Sequence, residues 1–182
     1  MRNVFSFLWE VGKIAFLALL LVAALRWFVF QPFLVRGASM EPNFHNWDYL
    51  IVDEISYRFR DPERGEVVVF KFPNDPSQRY IKRIVGIPGE TVQVQDGQVT
   101  ILRGEEVLKL DESRYISSYT PGSIKVSLGG GEYFVMGDNR LSSSDSRSWG
   151  TLREDLIIGR VLFRVFPWSA IAKVEAPNYE PL

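Results

Sequence analysis

Hydrophobic and polar residues follow two different patterns along this chain. Residues 14–25, IAFLALLLVAAL, form an unbroken apolar run. With residues 27–30 the run reaches about 17 residues, close to the length that a membrane-spanning helix needs. From residue 47 onward, short runs rich in Val, Ile, Phe and Tyr alternate with clusters of Gly, Pro, Asn and Asp, a pattern typical of strands and turns. The sequence therefore predicts one N-terminal helix followed by a mostly β domain.

The apolar run is predicted to be an uncleaved transmembrane α-helix. Lys13 and Arg26 lie near its ends, where their side chains reach the lipid headgroups at small cost, and Trp9 and Trp27 suit the two membrane interfaces. The alternatives are a cleaved signal peptide, with small residues at 22–24 as its cleavage site, and a buried core helix. The chain does not begin with a short basic leader, and the run has no polar face, so the anchor is favoured.

The composition excludes several classes of protein and site. A length of 182 residues suits one domain, and a formal net charge of −1 argues against nucleic acid as a partner. The absence of Cys excludes a thiol nucleophile, a zinc–thiolate site and disulfides. His45 is the only histidine, which disfavours a Ser-His-Asp triad, and the carboxylates show no metal-ligand spacing. We therefore expect no metal and no cofactor.

Three segments are richer in polar groups than a scaffold requires: VRGASMEPNF at 35–44, RYIKRIVGIPGE at 79–90 and GDNRLSSSDSRSWG at 137–150. Strand alternation places Lys82 on the same face as two large hydrophobic neighbours. A structural alternative remains for each segment, since lysines guard edge strands and Ser-rich loops are commonly solvated.

A serine activated by a lysine is the chemistry that fits these segments. Ser39 is the only hydroxyl residue of the first segment, and its hydroxyl needs a base to accept its proton. A lysine with its ordinary pKa is charged at neutral pH, but burial lowers the pKa of the amine and leaves it able to act as that base. Arg83 cannot replace Lys82, because a guanidinium does not lose its proton in proteins.

These three segments, in this order behind an N-terminal apolar run, resemble the conserved boxes of type I signal peptidases, a family of Ser-Lys proteases. The strand DYLIVD resembles a fourth box, and the short chain is similar to Gram-positive-like members. The resemblance implies a mostly β, antiparallel sheet or barrel-like catalytic domain with one N-terminal transmembrane α-helix. Residues 1–31 would form a cytoplasmic stub and anchor, and 32–182 the extracytoplasmic catalytic domain, with 96–125 as a small subdomain.

The resemblance also implies roles for individual residues. Ser39 matches the nucleophile, Lys82 the general base, and Ser143 the hydroxyl that orients the lysine. Asp145 and Arg147 match a structural ion pair that braces the site.

Oxyanion stabilisation and substrate binding are implied by the same resemblance. The backbone N–H of Ser39 would serve the oxyanion hole. Gly37 stands where some members carry a second serine donor, so a backbone group there is the expected replacement. The pockets for small substrate side chains would be lined by Phe33, Val35, Met40 and Ile81.

The implied function is removal of N-terminal signal peptides from secreted preproteins, by cleavage after small residues (Ala-x-Ala) through an acyl-enzyme. The implied partners are signal-peptide-bearing preproteins, the lipid bilayer and a nearby secretion translocon, with no nucleic acid. The implied location is the plasma membrane, with a single pass and the catalytic domain outside.

Two alternatives remain: a specialised peptidase that matures pilins or conjugative-transfer proteins, and a non-catalytic membrane-anchored β domain. A self-cleaving repressor is disfavoured, because such a protein would carry a DNA-binding unit in place of the anchor.

Overall fold

The computed structural model describes residues 2–28, 30–177 and 179. Its first element is helix α1 (Arg2–Phe28), whose described large apolar side chains, from Val4 to Leu21, are exposed. Among the described residues, no helix combines the length and the hydropathy of a membrane-crossing segment. Residues 1 and 29 of the predicted anchor, and the side chains of residues 2, 3, 5, 22–28, 30 and 31, lie outside the described part of the chain. The transmembrane character of α1 stays a prediction.

The rest of the described chain is dominated by two sheets, and every pairing between their strands is antiparallel. The larger sheet contains β1 (Phe30–Leu34), β2 (Tyr49–Asp53), β3 (Val67–Phe72), β4 (Asp75–Gly86), β9 (Glu132–Met136), β10 (Leu152–Arg153), β11 (Ile157–Phe166) and β12 (Ala172–Lys173). The smaller sheet contains β5 (Thr91–Gln95), β6 (Gln98–Arg103), β7 (Glu106–Lys109) and β8 (Ile124–Ser127). The predicted mostly β, antiparallel architecture is confirmed.

The larger sheet has the order β1-β2-β11-β3-β4-β9-β10, with β12 beside β11, and the smaller sheet has the order β7-β6-β5-β8. Among the described strands, β1 and β10 lie at the two ends of the larger sheet and do not pair with each other. One short helix, α2 (Ser146–Trp149), and 3-10 turns at Ser56–Arg58, Glu154–Leu156 and Trp168–Ala170 complete the described elements.

Three buried hydrophobic clusters hold the sheets together, and β4 contributes to each of them. Val85 belongs to the cluster under the smaller sheet, and Ile84 to the cluster on one face of β3 and β9. Ile81 packs against the third cluster, which lies between β1, β2, β3 and β11. Successive side chains of a strand point to opposite faces, so β4 packs on both sides and is fixed in position.

The N-terminal part of β4 keeps one edge open, and this opening locates the site. Residues 79–83 of β4 pair with β3, but pairing with β9 begins only at Arg83. The edge at residues 79–82 therefore has backbone groups with no neighbouring strand on the β9 side.

Candidate active site

The side chains of Ser39 and Lys82 are in direct contact although they lie 43 residues apart in sequence. Lys82 projects from β4, and Ser39 lies in the turn that follows β1. The distance between Lys82 Nζ and Ser39 Oγ is 2.7 Å, and Nζ also donates to the backbone carbonyl of Ile81 at 2.8 Å. In the neutral form of the lysine, the same short distance allows Nζ to accept the hydroxyl proton.

Burial makes Lys82 a usable base. Its side chain is only 3% exposed, and the resulting loss of hydration lowers its pKa from 10.5 to about 8, against the opposing charges of Asp145 and Asp138. An amine with that pKa is uncharged in about one molecule in ten at neutral pH, compared with fewer than about one in a thousand for an ordinary lysine.

The two carboxylates near Lys82 are each paired with an arginine. Asp145 accepts hydrogen bonds from Arg147 Nε and Nη2, each at 2.8 Å. Burial alone would raise the pKa of Asp145, but these bonds and the Arg147 charge outweigh it and lower the pKa. Asp138 is paired with Arg83 at 2.7 Å. Asp145 and Arg147 therefore form an ion pair, and Arg83 and Asp138 form a second, buried ion pair beside it.

The loop between β9 and α2 also holds the backbone around Ser39. Asn139 donates from its backbone N–H to the Ser39 carbonyl at 3.0 Å, and from its side-chain amide to the Ala38 carbonyl at 3.1 Å. Gly137 lies between the Ser39 carbonyl and the Ser143 hydroxyl, and a side chain at residue 137 would overlap both groups. Glycine at this position is what allows the loop to approach Ser39 so closely.

Ser143 is at the site but does not hydrogen-bond to Lys82. Its Oγ is buried without a hydrogen-bond partner of regular geometry, although it approaches Asp145 closely enough to contribute to the lowering of that pKa. The second hydrogen bond of Lys82 goes to Ile81 instead. Among the described residues, Lys82 Nζ therefore contacts Ser39 and Ile81 and not Ser143, and the orienting role of Ser143 stays a prediction.

Of the two backbone N–H groups expected to serve the oxyanion hole, that of Ser39 is free within the described part of the chain and that of Gly37 is already hydrogen-bonded. The backbone N–H of Ser39 has no acceptor among the described residues, so it is available to a developing oxyanion. The N–H of Gly37 instead donates to Asn46 Oδ1 at 3.0 Å. Gly37, whose φ is +92°, is thus engaged in fixing the loop before Ser39, and in this arrangement its N–H is not a free second donor.

A cleft of about 480 Å³ opens beside Ser39 and Lys82. Phe33, Val35 and Ile81 line it, and their role in substrate binding stays a prediction. Met40 does not line the cleft: it is 1% exposed and packs in the hydrophobic cluster under the cleft. Met40 thus lies below the cleft surface, and its part in a substrate pocket stays a prediction.

Both walls of the cleft offer open strand edges. On β4, Ile84 exchanges backbone hydrogen bonds with Gly65 and Glu66 on the β3 side. Backbone groups alternate between the two edges of an antiparallel strand, so those of Arg79 and Ile81 face the cleft. On the other wall, Val35 bonds to residues 47 and 48, which leaves the backbone groups of its neighbours Leu34 and Arg36 turned outward.

A buried polar network behind the site was missed by the sequence reasoning. Arg140 is 1% exposed and donates to both carboxylate oxygens of Glu112, to Thr120 Oγ1 at 2.7 Å and to the Gly137 carbonyl at 3.0 Å. Glu112 and Thr120 lie outside the three polar segments, and nothing in their local sequence marks them. Within the described part of the chain, no group of three or more His, Asp or Glu residues is arranged to hold a metal ion.

Comparison with known proteins places the chain in a family. Residues 8–168 match the family model described as signal peptidase, peptidase S26. The chain is 34% identical to the probable signal peptidase I-1 of Synechocystis sp., over 97% of this chain and 91% of that protein. It is 36% identical to signal peptidase I T of Bacillus subtilis, over 91% of this chain and 89% of that protein. A crystal structure of a signal peptidase I from Enterococcus faecalis V583 aligns with a TM-score of 0.47 at 29% identity, over 56% of this chain and 97% of that one. The chain therefore belongs to the signal peptidase family, peptidase S26, and is a serine endopeptidase.

Proposed function

We propose that this chain removes N-terminal signal peptides from secreted preproteins, with Ser39 as the nucleophile and Lys82 as the general base. The observation that carries the proposal is the 2.7 Å contact between Ser39 Oγ and Lys82 Nζ, made by a lysine whose pKa burial lowers to about 8. The names of the relatives supply the substrate class: those described above are signal peptidases I.

The geometry supports an acyl-enzyme route. Neutral Lys82 accepts the Ser39 proton as Oγ bonds to the scissile carbonyl carbon, and the Ser39 N–H stabilises the oxyanion. Lys82 then gives that proton to the leaving amine as the C–N bond breaks, and the signal peptide remains as an ester on Ser39. Neutral again, Lys82 removes a proton from the water that attacks the ester. It then gives this proton to Ser39 Oγ as the C–O bond breaks, and the carboxylic acid product leaves.

The open strand edges support binding of the substrate as an added strand. An extended peptide in the cleft can hydrogen-bond to the outward backbone groups of residues 34 and 36 on one wall and 79 and 81 on the other. Phe33, Val35 and Ile81 form the apolar lining, which suits small side chains one and three residues before the cut. We propose Ser143 as a group that orients Lys82 once a substrate displaces the present contacts.

The proposed setting is the plasma membrane, with residues 1–31 as a single-pass anchor and 32–182 as the catalytic domain outside the cell. Support comes from α1, whose described large apolar side chains, from Val4 to Leu21, stay exposed. Because β1 and the Ser39 turn follow α1 closely, such an anchor would hold the nucleophile near the membrane face, where a signal peptide leaves the bilayer and the translocon.

Cleavage of a purified preprotein with an Ala-x-Ala site, by the full chain in detergent, tests the proposal. Ser39→Ala and Lys82→Ala should each lower kcat/KM at least about a thousandfold, because each removes a group that takes part in bond making. The matched controls are Ser123→Ala and Lys71→Ala, which truncate an exposed serine and an exposed lysine outside the cleft and should retain activity. Processing that survives either Ser39→Ala or Lys82→Ala would refute the mechanism.

A further inference from the structure

The cleft has an uneven charge: two arginines line it, and none of the described residues that line it is Asp or Glu. Arg79 lies on the β4 wall and Arg36 on the β1 wall. The nearby carboxylates of Asp138 and Asp145 are at most 1% exposed and are each paired with an arginine. A cleft with low-dielectric walls focuses the field of unpaired charges, so its potential is positive.

Arg79 lies against an aromatic ring and forms no ion pair with a described carboxylate, although Glu54 is near enough to interact with its charge. Its guanidinium carbon lies 5.6 Å from the centre of the Phe33 ring, an arrangement that leaves the N–H donors at the guanidinium edge free. No ion pair joins Arg79 to a carboxylate of the described residues. The charge of Arg79 acts to lower the pKa of Glu54, against the larger raising effect of burial. The buried Oε1 of Glu54, however, has no hydrogen-bond partner among the described residues. Arg79 therefore keeps its capacity to bind a carboxylate.

The position of Arg79 on β4 fixes which substrate residue it meets. Arg79 and Ile81 are two residues apart on the strand, so their side chains share a face and are separated by about 7 Å. A substrate strand lying along β4 has the same repeat. The substrate side chain opposite Arg79 is therefore two residues farther from Ser39 than the one that packs on Ile81.

We propose that Arg79 is a specificity-determining residue that favours an acidic side chain, and disfavours Lys and Arg, about five residues before the cut. This inference rests on the proposed function, since the small residue three positions before the cut is taken to pack on Ile81. Arg79 does not take part in bond making. It selects among substrates through charge and through a bidentate hydrogen bond to a carboxylate.

Matched peptides test the inference with the full chain in detergent. Each carries Ala-x-Ala before the cut and differs only at the fifth residue before it, which is Asp, Asn or Lys. For the wild type, kcat/KM should be about fivefold higher for the Asp peptide than for the Lys peptide, and the ratio should shrink in 0.5 M salt as screening increases, with a Debye length of roughly 4 Å. Arg79→Gln should bring the ratio close to one, and Arg79→Glu should invert it.

Arg153→Gln is the matched control, because this exposed arginine lies outside the cleft and is paired with Asp155. It should retain the wild-type Asp-to-Lys ratio.

The same three peptides are also titrated by fluorescence anisotropy against two proteins, the single variant Ser39→Ala and the double variant Ser39→Ala with Arg79→Gln. If binding shows the charge preference but no peptide is cleaved by the wild type, the proposed function fails and the specificity role stands. If Arg79→Gln leaves the Asp-to-Lys ratio unchanged in both assays, or Arg79→Glu does not shift it towards Lys, the specificity role is refuted.

Discussion

Arg83 and Asp138 form a two-pronged buried ion pair directly beside the reactive residues. Arg83 donates from Nε at 2.8 Å and from Nη2 at 2.7 Å to the two carboxylate oxygens, and the side chains are 5% and 0% exposed. Arg83 follows Lys82 on β4, and Asp138 precedes Asn139, which binds the Ser39 carbonyl. The pair thus clamps the strand that carries Lys82 to the loop that holds Ser39.

Replacing Arg83 with Met should destabilise the fold strongly, because Asp138 would be left buried without its partner. The free energy of unfolding should fall by about 3–5 kcal/mol, measured by urea denaturation. Arg153→Met is the control: it removes an arginine whose pair with Asp155 is 71% and 60% exposed, and it should cost less than about 1 kcal/mol. Equal urea midpoints for the two variants would show that the buried pair does not act as a clamp.

The pH dependence of kcat/KM should report the Lys82 amine. Burial lowers the pKa of Lys82 to about 8, and only the neutral amine accepts the Ser39 proton, so activity should rise with pH and level off above that value. Below it, kcat/KM should fall about tenfold for each pH unit. Lys82→Arg should be inactive across the whole range, because a guanidinium keeps its proton. A wild-type profile that rises only near pH 10 would contradict the role of burial.

Removing the charge of Lys82 should stabilise the protein while abolishing activity. The folded-state pKa lies below the unfolded value of 10.5, so between about pH 8 and 10.5 the unfolded chain binds more protons and stability rises with pH. Below about pH 8 the folded protein carries the full free-energy cost of burying the charged amine. Lys82→Met should therefore be more stable than the wild type by up to about 3 kcal/mol at pH 7.

The difference between Lys82→Met and the wild type should narrow as the pH approaches 10. Urea denaturation at pH 7 and pH 10 measures it, with the exposed Lys71→Met as the control for hydrophobic substitution. A Lys82→Met protein that is less stable than the wild type at pH 7 would show that the lysine contributes favourable contacts that exceed its cost of burial.

Gly137→Ala should damage catalysis far more than a glycine-to-alanine change elsewhere. The added methyl group would overlap both the Ser39 carbonyl and the Ser143 hydroxyl, so the loop and the Ser39 turn must separate. A displacement of about 1 Å at a reactive group can cost about a hundredfold in rate, and we expect a loss of that size in kcat/KM. Gly130→Ala, where no atom lies within 4 Å of the new methyl group, should retain wild-type activity. Similar activities for the two variants would contradict the requirement for close approach.

The sequence predicted features that depend on local patterns or on short motifs. Alternation of apolar residues identified the strands, and the burial of Lys82 followed from its large neighbours on β4, Tyr80 and Ile84. The buried ion pair of Arg83 with Asp138 was not predicted, since a cation in a strand is equally compatible with a solvent-exposed edge. Only the tertiary structure shows that Asp138, 55 residues away, occupies the space beside it.

Several contacts at the site could not be predicted because they join groups with no shared motif. The Gly37 N–H bonds to Asn46, nine residues later, and Arg140 bonds to Glu112, 28 residues earlier. The burial of Met40 was not predicted either: it lies next to Ser39, but the turn directs its side chain into the core. Side-chain direction in an irregular segment depends on backbone angles that no periodic pattern encodes.

The hydrogen bonds from Asn139 to Ala38 and Ser39 have a consequence for synthesis of the chain. A ribosome makes the Ser39 turn about a hundred residues before the loop that fixes it, as the separation of 101 residues between Ala38 and Asn139 shows. During that interval the hydroxyl lacks the support that aligns it with the amine. The arrangement around Ser39 therefore cannot be complete until the last polar segment has been synthesised and has docked.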